Sequence, residues 1–287
     1  MKLLLKIPAS ILGYLVNTFP KFRDLIRNVH FKGKYTLICH VDIDSPKGII
    51  IEECNGIKYE LNLRDDIQKL IYFNVYEKKY LGRVLKLIPQ HGICIDVGAN
   101  VGYYALNFAK NSCKKVYAFE ANPIVANKLR NNISLNYFEP IIEVSEYAVS
   151  DKISKVTFSL SPEENSGWGH IGEDERFEKI VVDTYTLDKF FEDKGLEKVD
   201  LMKVDVEGAE DMLIEGAQRV LSEQRIRHIF MEFCKMSSDA VKNRLNRLRQ
   251  FGYIPDKEDE AVLERMKTDN HYSTKLVRNF LFHASKD

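Results

Sequence analysis

The spacing of apolar positions changes character twice along the chain. At the start, Leu3, Leu4, Leu5, Ile7, Ile11, Leu12, Leu15 and Val16 recur at roughly helical intervals beside Lys2 and Lys6, with Pro8 as an interruption. Short β-branched runs follow at Tyr35–Val41, Gly48–Glu53 and Ile57–Leu63, separated by Asp42–Gly48 and by Asn55-Gly56. Asn-Gly between two such runs is a hairpin signal, so a small antiparallel sheet is predicted here. Leu63 to Leu87 reads as helical. Beyond His91-Gly92, short apolar strands alternate with amphipathic helices, the pattern of a parallel sheet with crossover helices. Strands are predicted at Ile93–Val97, Lys115–Phe119, Ile141–Ser145, Lys155–Leu160, Lys179–Val182, Asp200–Val204, Ile226–Phe230 and Leu276–His283. Helices are predicted at Val101–Lys110, Pro123–Asn136, Gly208–Ser222 and Ser238–Phe251. The expected organisation is an accessory region over residues 1–62 and one α/β domain over residues 63–287.

Composition narrows the class. A chain of 287 residues with 45% hydrophobic and 29% charged side chains has the make-up of a folded globular protein, not of a membrane-embedded or low-complexity one. Its 42 basic and 42 acidic side chains cancel, which removes the general attraction a nucleic-acid-coating protein uses. Five cysteines are scattered without a C-x-x-C pair, so neither a disulfide framework nor a zinc site is expected, and a reducing cytoplasm fits. For residues 1–30 three readings stay open: a helix packed on the body or a partner, a membrane-surface helix giving peripheral membrane contact, and a signal or anchor. The polar stretch Glu163–Glu178, with Ser-Gly-Trp-Gly-His inside it, is long enough to expect function or mobility.

The chemistry concentrates at strand-to-helix junctions. Ile93-Cys-Ile-Asp96-Val-Gly98-Ala-Asn-Val-Gly102 is a buried strand that ends in an acid and runs through glycines into a helix. Gly98 permits close backbone approach to a ligand, Gly102 lets the helix pack near the strand, and Asp96 can accept from an ammonium or an ordered water. The glycine spacing is G-x-x-x-G, which lacks the diphosphate cradle of a dinucleotide site and so argues against a nicotinamide-dependent dehydrogenase. In Val116-Tyr-Ala-Phe-Glu120-Ala-Asn122-Pro123 an acid ends the next strand, where Rossmann-like sheets bind ribose hydroxyls. The bland alternative is an exposed acid beside a proline that opens a helix. Val199–Glu210 leaves Asp205, Glu207 and Glu210 around another helix start. Asp205 and Glu207 lie just past a strand's carboxyl end, the ligand-binding side of such sheets, whereas Glu210 reads as support for the helix dipole.

In this order the segments Asp96–Gly102, Phe119–Pro123, Thr186-Leu-Asp188 and Lys203–Glu210 resemble the FkbM family of methyltransferases over roughly residues 70–235. The family often has Glu-Pro where this chain has Glu120-Ala-Asn122-Pro123, which leaves the role of Asn122 open. The resemblance implies a Rossmann-like class I methyltransferase fold with S-adenosylmethionine as cofactor. It also implies methyl transfer, usually to a hydroxyl of a sugar or another small natural product. By the same resemblance Gly98, Ala99, Asn100 and Gly102 line the methionine and ribose portions of the cofactor, and Glu120 takes the ribose. Ala148 and Val149 offer backbone contacts to the adenine, and Glu77 lies in the helix that covers the cofactor.

Methyl transfer from a sulfonium to an alcohol needs a held hydroxyl and a group to take its proton. The candidates are Asp205, Glu207 and His170, the last either a catalytic group on a closing loop or a solvent-exposed histidine. No metal-ligating residues are singled out, and whether a metal assists stays open. Two other readings stay open: a non-catalytic, partner-binding protein on the same fold, and a nucleic-acid methyltransferase. Charge balance and the lack of an Asn/Asp-Pro-Pro-aromatic run disfavour the second.

Overall fold

The computed structural model describes residues 9–29, 33–41, 49–160 and 165–285. Helices α1 (Ala9–Thr18), α2 (Pro20–Asn28) and α3 (Lys34–Cys39) precede a hairpin of β1 (Ile49–Cys54) and β2 (Ile57–Asn62). Asn55 and Gly56 turn it with φ of 53° and 72°, the doubly positive geometry that favours Asn-Gly. Helices α4 (Asp66–Tyr72) and α5 (Lys78–Val84) lead into β3 (Ile93–Val97), α6 (Tyr103–Lys110), β4 (Lys115–Phe119), α7 (Pro123–Leu135) and β5 (Ile142–Ser145). Next come β6 (Ala148–Val149), β7 (Lys155–Ser159), β8 (His170–Ile171) and β9 (Lys179–Tyr185). The chain then alternates again through α8 (Leu187–Lys194), β10 (Val199–Val204), α9 (Glu210–Glu215), α10 (Gln218–Ser222), β11 (Ile226–Cys234) and α11 (Ser238–Gln250). It ends with β12 (Tyr253–Pro255), α12 (Lys257–Thr268), α13 (Asn270–Ser273) and β13 (Val277–Ala284).

Among the described residues the main sheet has seven strands in the order β12-β13-β11-β10-β3-β4-β5. β5, β4, β3, β10 and β11 run parallel, and β13 is antiparallel to both of its neighbours. This is the expected Rossmann-like class I methyltransferase sheet. The chain winds outward from β3 through β4 to β5, then returns to β10 on the other side of β3 and winds the opposite way. The reversal opens a crevice between the carboxyl ends of β3 and β10.

Side-chain alternation sends each strand into two cores. Cys94, Val116, Ala118, Leu201, Phe230 and Leu281 face a core shared with the N-terminal helices, the hairpin and α4 to α7. Ile95, Val97, Tyr117, Phe119, Val204 and Ile229 face the core under α8 to α12. Leu12, Val16 and Ile26 of α1 and α2 are buried in the first core, while Ile11, Tyr14, Phe19 and Leu25 stay exposed. No helix of the described residues is long and apolar enough to cross a membrane.

Several elements depart from the pattern reading. Tyr35–Val41 is not a strand: Lys34 and Ile38 are buried four residues apart on one side of α3, and this packing overrides the β-branched composition. The accessory sheet therefore has two strands among the described residues, and Asp42–Gly48 lies outside them. Leu63–Leu87 is broken after Phe73, where Val75 and Tyr76 both donate to the Leu70 carbonyl and Asn74 takes a φ of 56°. The predicted helix Gly208–Ser222 is two helices that meet at Gly216-Ala217, and a side chain at Gly216 would overlap the carbonyl of Ser150. Lys155–Leu160 and Lys179–Val182 are strands, but of a separate four-stranded sheet ordered β6-β9-β7-β8 and not of the parallel core.

Candidate active site

The carboxyl ends of β3, β4 and β10 frame one wall of a cavity of about 680 Å³, within the size range of small-molecule sites. The first turn carries three left-handed residues, Gly98, Asn100 and Gly102, with φ of 76°, 51° and 95°. Gly98 is demanded by the neighbouring strand: a Cβ there would overlap the backbone oxygen of Asp205. The Gly98 and Ala99 amides both donate to the Phe119 carbonyl, at 3.0 and 2.9 Å, which holds the turn against β4. A Cβ at Gly102 would press on Leu129 of α7, so this glycine serves helix packing. Gly98→Ala adds backbone overlap to left-handed strain and is expected to cost about 3 kcal/mol or more, read from urea unfolding.

Of the expected site residues, Gly98, Ala99, Asn100, Glu120, Asn122, Ala148 and Val149 line the cavity, as do Asp205, Glu207 and Glu77. Asp96, Gly102 and His170 are not on its wall. His170 sits in β8 with Nδ1 3.0 Å from the Trp168 carbonyl oxygen and its ring beside Phe177. The chain around it does approach the cavity. Ser166 donates from its amide to Asp65 (2.6 Å) and from its hydroxyl to Asn100 Oδ1 (3.0 Å), and Trp168 lines the cavity while 53% exposed. Glu163 and Glu164 lie outside the described residues.

Glu120 is buried at the end of β4 and accepts the Asn100 amide on Oε2 (2.8 Å) and the Asn122 amide on Oε1 (2.9 Å). Burial nevertheless pushes its carboxyl up to about 7 against those two bonds. Asn122, whose role the sequence leaves open, caps α7 by accepting the Ile124 amide at 3.0 Å.

A second polar group lies on the sheet face under α6. Lys203, only 4% exposed, stands in register with Asp96. Its Nζ is 3.0 Å from Asp205 Oδ2, 4.0 Å from Asp96 Oδ1 and 3.4 Å from the Gly98 carbonyl, and lies over the Tyr104 ring. Burial acts to lower this lysine's pKa, but Asp205, Asp96 and Glu77 outweigh it and raise the value above the ordinary range. Asp96 accepts the Ala105 amide (2.9 Å), its Oδ1 has no hydrogen-bond partner, and burial lifts it to about 6. Glu77 is not within a helix but at the start of α5 with φ of 38°. Its carboxyl accepts the Tyr104 hydroxyl (2.6 Å) and the Asn279 amide (2.7 Å), and burial raises its pKa. Glu210 does more than support a dipole: it is buried and pairs with Arg244 at 3.1 Å.

Glu207 has φ of 47° and is pushed up to about 7 by burial and by Asp205 and Glu210. Glu120 and Glu207 both stand above their unfolded values near 4.3. The native state therefore holds extra protons from about pH 4.5 to about 7, and stability falls as pH rises through that window. Urea unfolding at pH 5 and pH 8 is expected to show this loss, and E120Q/E207Q to show less of it. Glu232 and Asn279, which strand reading alone does not single out, also line the cavity. An acid interrupting the apolar run Ile229–Cys234 was the available signal.

Residues 96–255 match the family described as Methyltransferase FkbM domain, more than half of the chain. The chain belongs to this family. It is 29% identical over 159 residues to the 2-O-methyltransferase NoeI of Sinorhizobium fredii, covering 49% of this chain and 63% of that one. It is 25% identical over 258 residues to the AMB antimetabolite synthetase AmbE of Pseudomonas aeruginosa, covering 75% of this chain but 12% of that one. The chain thus spans less than two thirds of either relative's length. Among solved structures, a rRNA methylase from Streptococcus thermophilus aligns with a TM-score of 0.44 and 13% identity, over 72% of this chain and 94% of that one.

Proposed function

We propose that this FkbM-family chain is an S-adenosylmethionine-dependent O-methyltransferase acting on a hydroxyl of a saccharide or another small natural product. The observation that carries the reading is the cavity at the sheet's reversal point, walled on one side by Glu120 and on the other by Asp205 and Glu207. The donor set fits the cofactor. Glu120 spends one lone pair of each oxygen on a backbone amide and keeps others for two ribose hydroxyls. Phe119, Ala148, Val149 and Phe158 offer apolar surface to a flat base, and the acids near β10 suit an ammonium. Bound there, the cofactor supplies an electrophilic methyl group. The protein holds the acceptor hydroxyl in line, excludes water with the 165–169 segment, and takes the hydroxyl proton on a carboxylate. The 2-O-methyltransferase relative supports a hydroxyl acceptor. The balanced charge and the exposed Trp168 at the cavity support an uncharged, polar one.

The test is calorimetric titration with S-adenosylhomocysteine, followed by transfer of labelled methyl groups to a panel of glycosides. Glu120→Ala is expected to weaken cofactor binding by about 1–3 kcal/mol through loss of charge-assisted hydrogen bonds. An unchanged dissociation constant would remove Glu120 from the ribose site, and no binding by the wild type would sink the cofactor assignment.

A further inference from the structure

We propose that Glu232 and Glu207 form one proton-sharing carboxyl pair that holds an acceptor bearing adjacent hydroxyls and takes the proton of the hydroxyl being methylated. This deepens the O-methyltransferase reading and rests on it. Four features of the structure carry it.

Glu232 follows the last rung that β11 shares with β10, Met231 opposite Val204, so it stands just beyond the carboxyl end of β10. By alternation from Phe230 it faces the same side of the sheet as Lys203 and Asp96. Glu207 reaches the same point from the other direction through its left-handed backbone, a conformation rare for such a residue and found where a side chain must be aimed. One oxygen of each carboxyl and the Cys234 sulfur all lie within 4.8 Å of one another, and neither carboxyl has a hydrogen bond or ion pair among the described residues. Asn279, in register with Glu232 across β11 and β13, is 1% exposed and lines the same cavity, yet its Oδ1 has no partner.

The result is a wall rich in acceptors: two carboxyls that hold one proton between them and an unpartnered amide oxygen, facing a cavity. A buried acceptor without a partner costs free energy, so the group that completes this wall brings several O–H donors close together, as a polyol or saccharide does. Two carboxyls this close cannot both ionise cheaply, so they share a proton and keep one basic site. Burial, then Asp205 and Glu207, push Glu232 up to about 10. Lys203 and Glu77 also act on Glu232, while Glu210 and Lys235 act on Glu207. Burial pushes the Cys234 thiol up to about 11, so it stays protonated at neutral pH and is a poor metal ligand. In the transfer, the hydroxyl oxygen forms the new C–O bond, the C–S bond breaks with its electron pair left on sulfur, and the hydroxyl proton passes to the ionised member of the pair.

The experiment is carbon-13 NMR titration of glutamate carboxyls in the full-length, cofactor-free protein, with E207Q, E232Q and E232D. The pair titrates in coupled steps, with E207Q lowering the Glu232 midpoint and E232Q lowering that of Glu207. Midpoints that each variant leaves unmoved overturn the pair. Tight Zn²⁺ binding that is lost in C234S overturns it in favour of a metal site. With methyl glycosides as probes, E207Q is expected to slow single-turnover transfer about 10²–10⁴-fold, while E232Q leaves a base and shifts the midpoint of the pH–rate profile downward, with partial recovery in E232D and unchanged binding of S-adenosylhomocysteine. A near-native rate in E207Q, or a pH–rate profile that E232Q leaves unmoved, removes the proton-taking role of the pair while the methyltransferase reading stands. Failure of the wild type to bind S-adenosylhomocysteine sinks that reading, whatever the titration shows. Binding without transfer to any glycoside overturns the saccharide class.

Discussion

Replacing Lys203 with Met is expected to cost about 3–5 kcal/mol of folding stability at pH 8, the range found when a buried ion pair loses one partner. The residue is 4% exposed and sits among Asp205, Asp96 and Glu77. Methionine fills the aliphatic space but leaves those carboxylates without their cation. The pH dependence separates this account from a packing defect. Lys203 holds Asp96 down, yet burial still lifts that carboxyl to about 6, above its unfolded value. Without the lysine it rises further, so the variant loses less stability at pH 5, where Asp96 is protonated, than above pH 7, where Asp96 and Asp205 both lack their cation. Urea unfolding at both pH values checks this. An equal loss at both would mean that packing, and not charge, is what Lys203 supplies. Because Asp205 is the lysine's 3.0 Å partner, Asp205→Asn is expected to lower stability as well as activity.

Glu207→Gln is the cleaner test of proton transfer, and is expected to slow single-turnover methyl transfer at saturating cofactor by about 10²–10⁴-fold. Its carboxyl is half-buried on the cavity wall, carries no structural ion pair among the described residues, and is already lifted to about 7 by burial. A base poised near the working pH is the effective kind. Cofactor affinity is expected to change far less than the rate. His170→Ala serves as the comparison, because that ring points to the Trp168 carbonyl and lies off the cavity wall. If Glu207→Gln keeps a near-native rate while His170→Ala loses activity, the loop closes further than its position here and the histidine takes the proton.

Much of this site was legible because its parts are local. A strand that ends in Asp96 and turns through Gly98 and Gly102, and a next strand that ends in Glu120, are sequence-adjacent signals tied to the backbone geometry of a single junction. The reason for Gly98 was only half legible. Its missing side chain makes room for the Asp205 backbone, more than a hundred residues away, and no local pattern contains that neighbour. Glu232 was missed for the same reason. On its own strand it reads as a polar interruption, and it acquires meaning only when β11 settles beside β10 and Glu207 turns toward it.

Local patterning is enough to dictate the α/β class, the order of the core strands along the chain, the hairpin at Asn55-Gly56 and the junctions that carry the acids, because periodicity, glycine and turn chemistry act within a few residues. Long-range packing makes Tyr35–Val41 coil into a helix, moves Lys155–Leu160 and Lys179–Val182 out of the parallel core into a second sheet, and gathers Lys203, Asp96, Asp205 and Glu77 into one charge cluster. Those outcomes rest on which surfaces meet. A β-branched run forms a helix when burying residues four apart outweighs its weak strand preference, and a charge finds its counter-ion only after distant strands have paired.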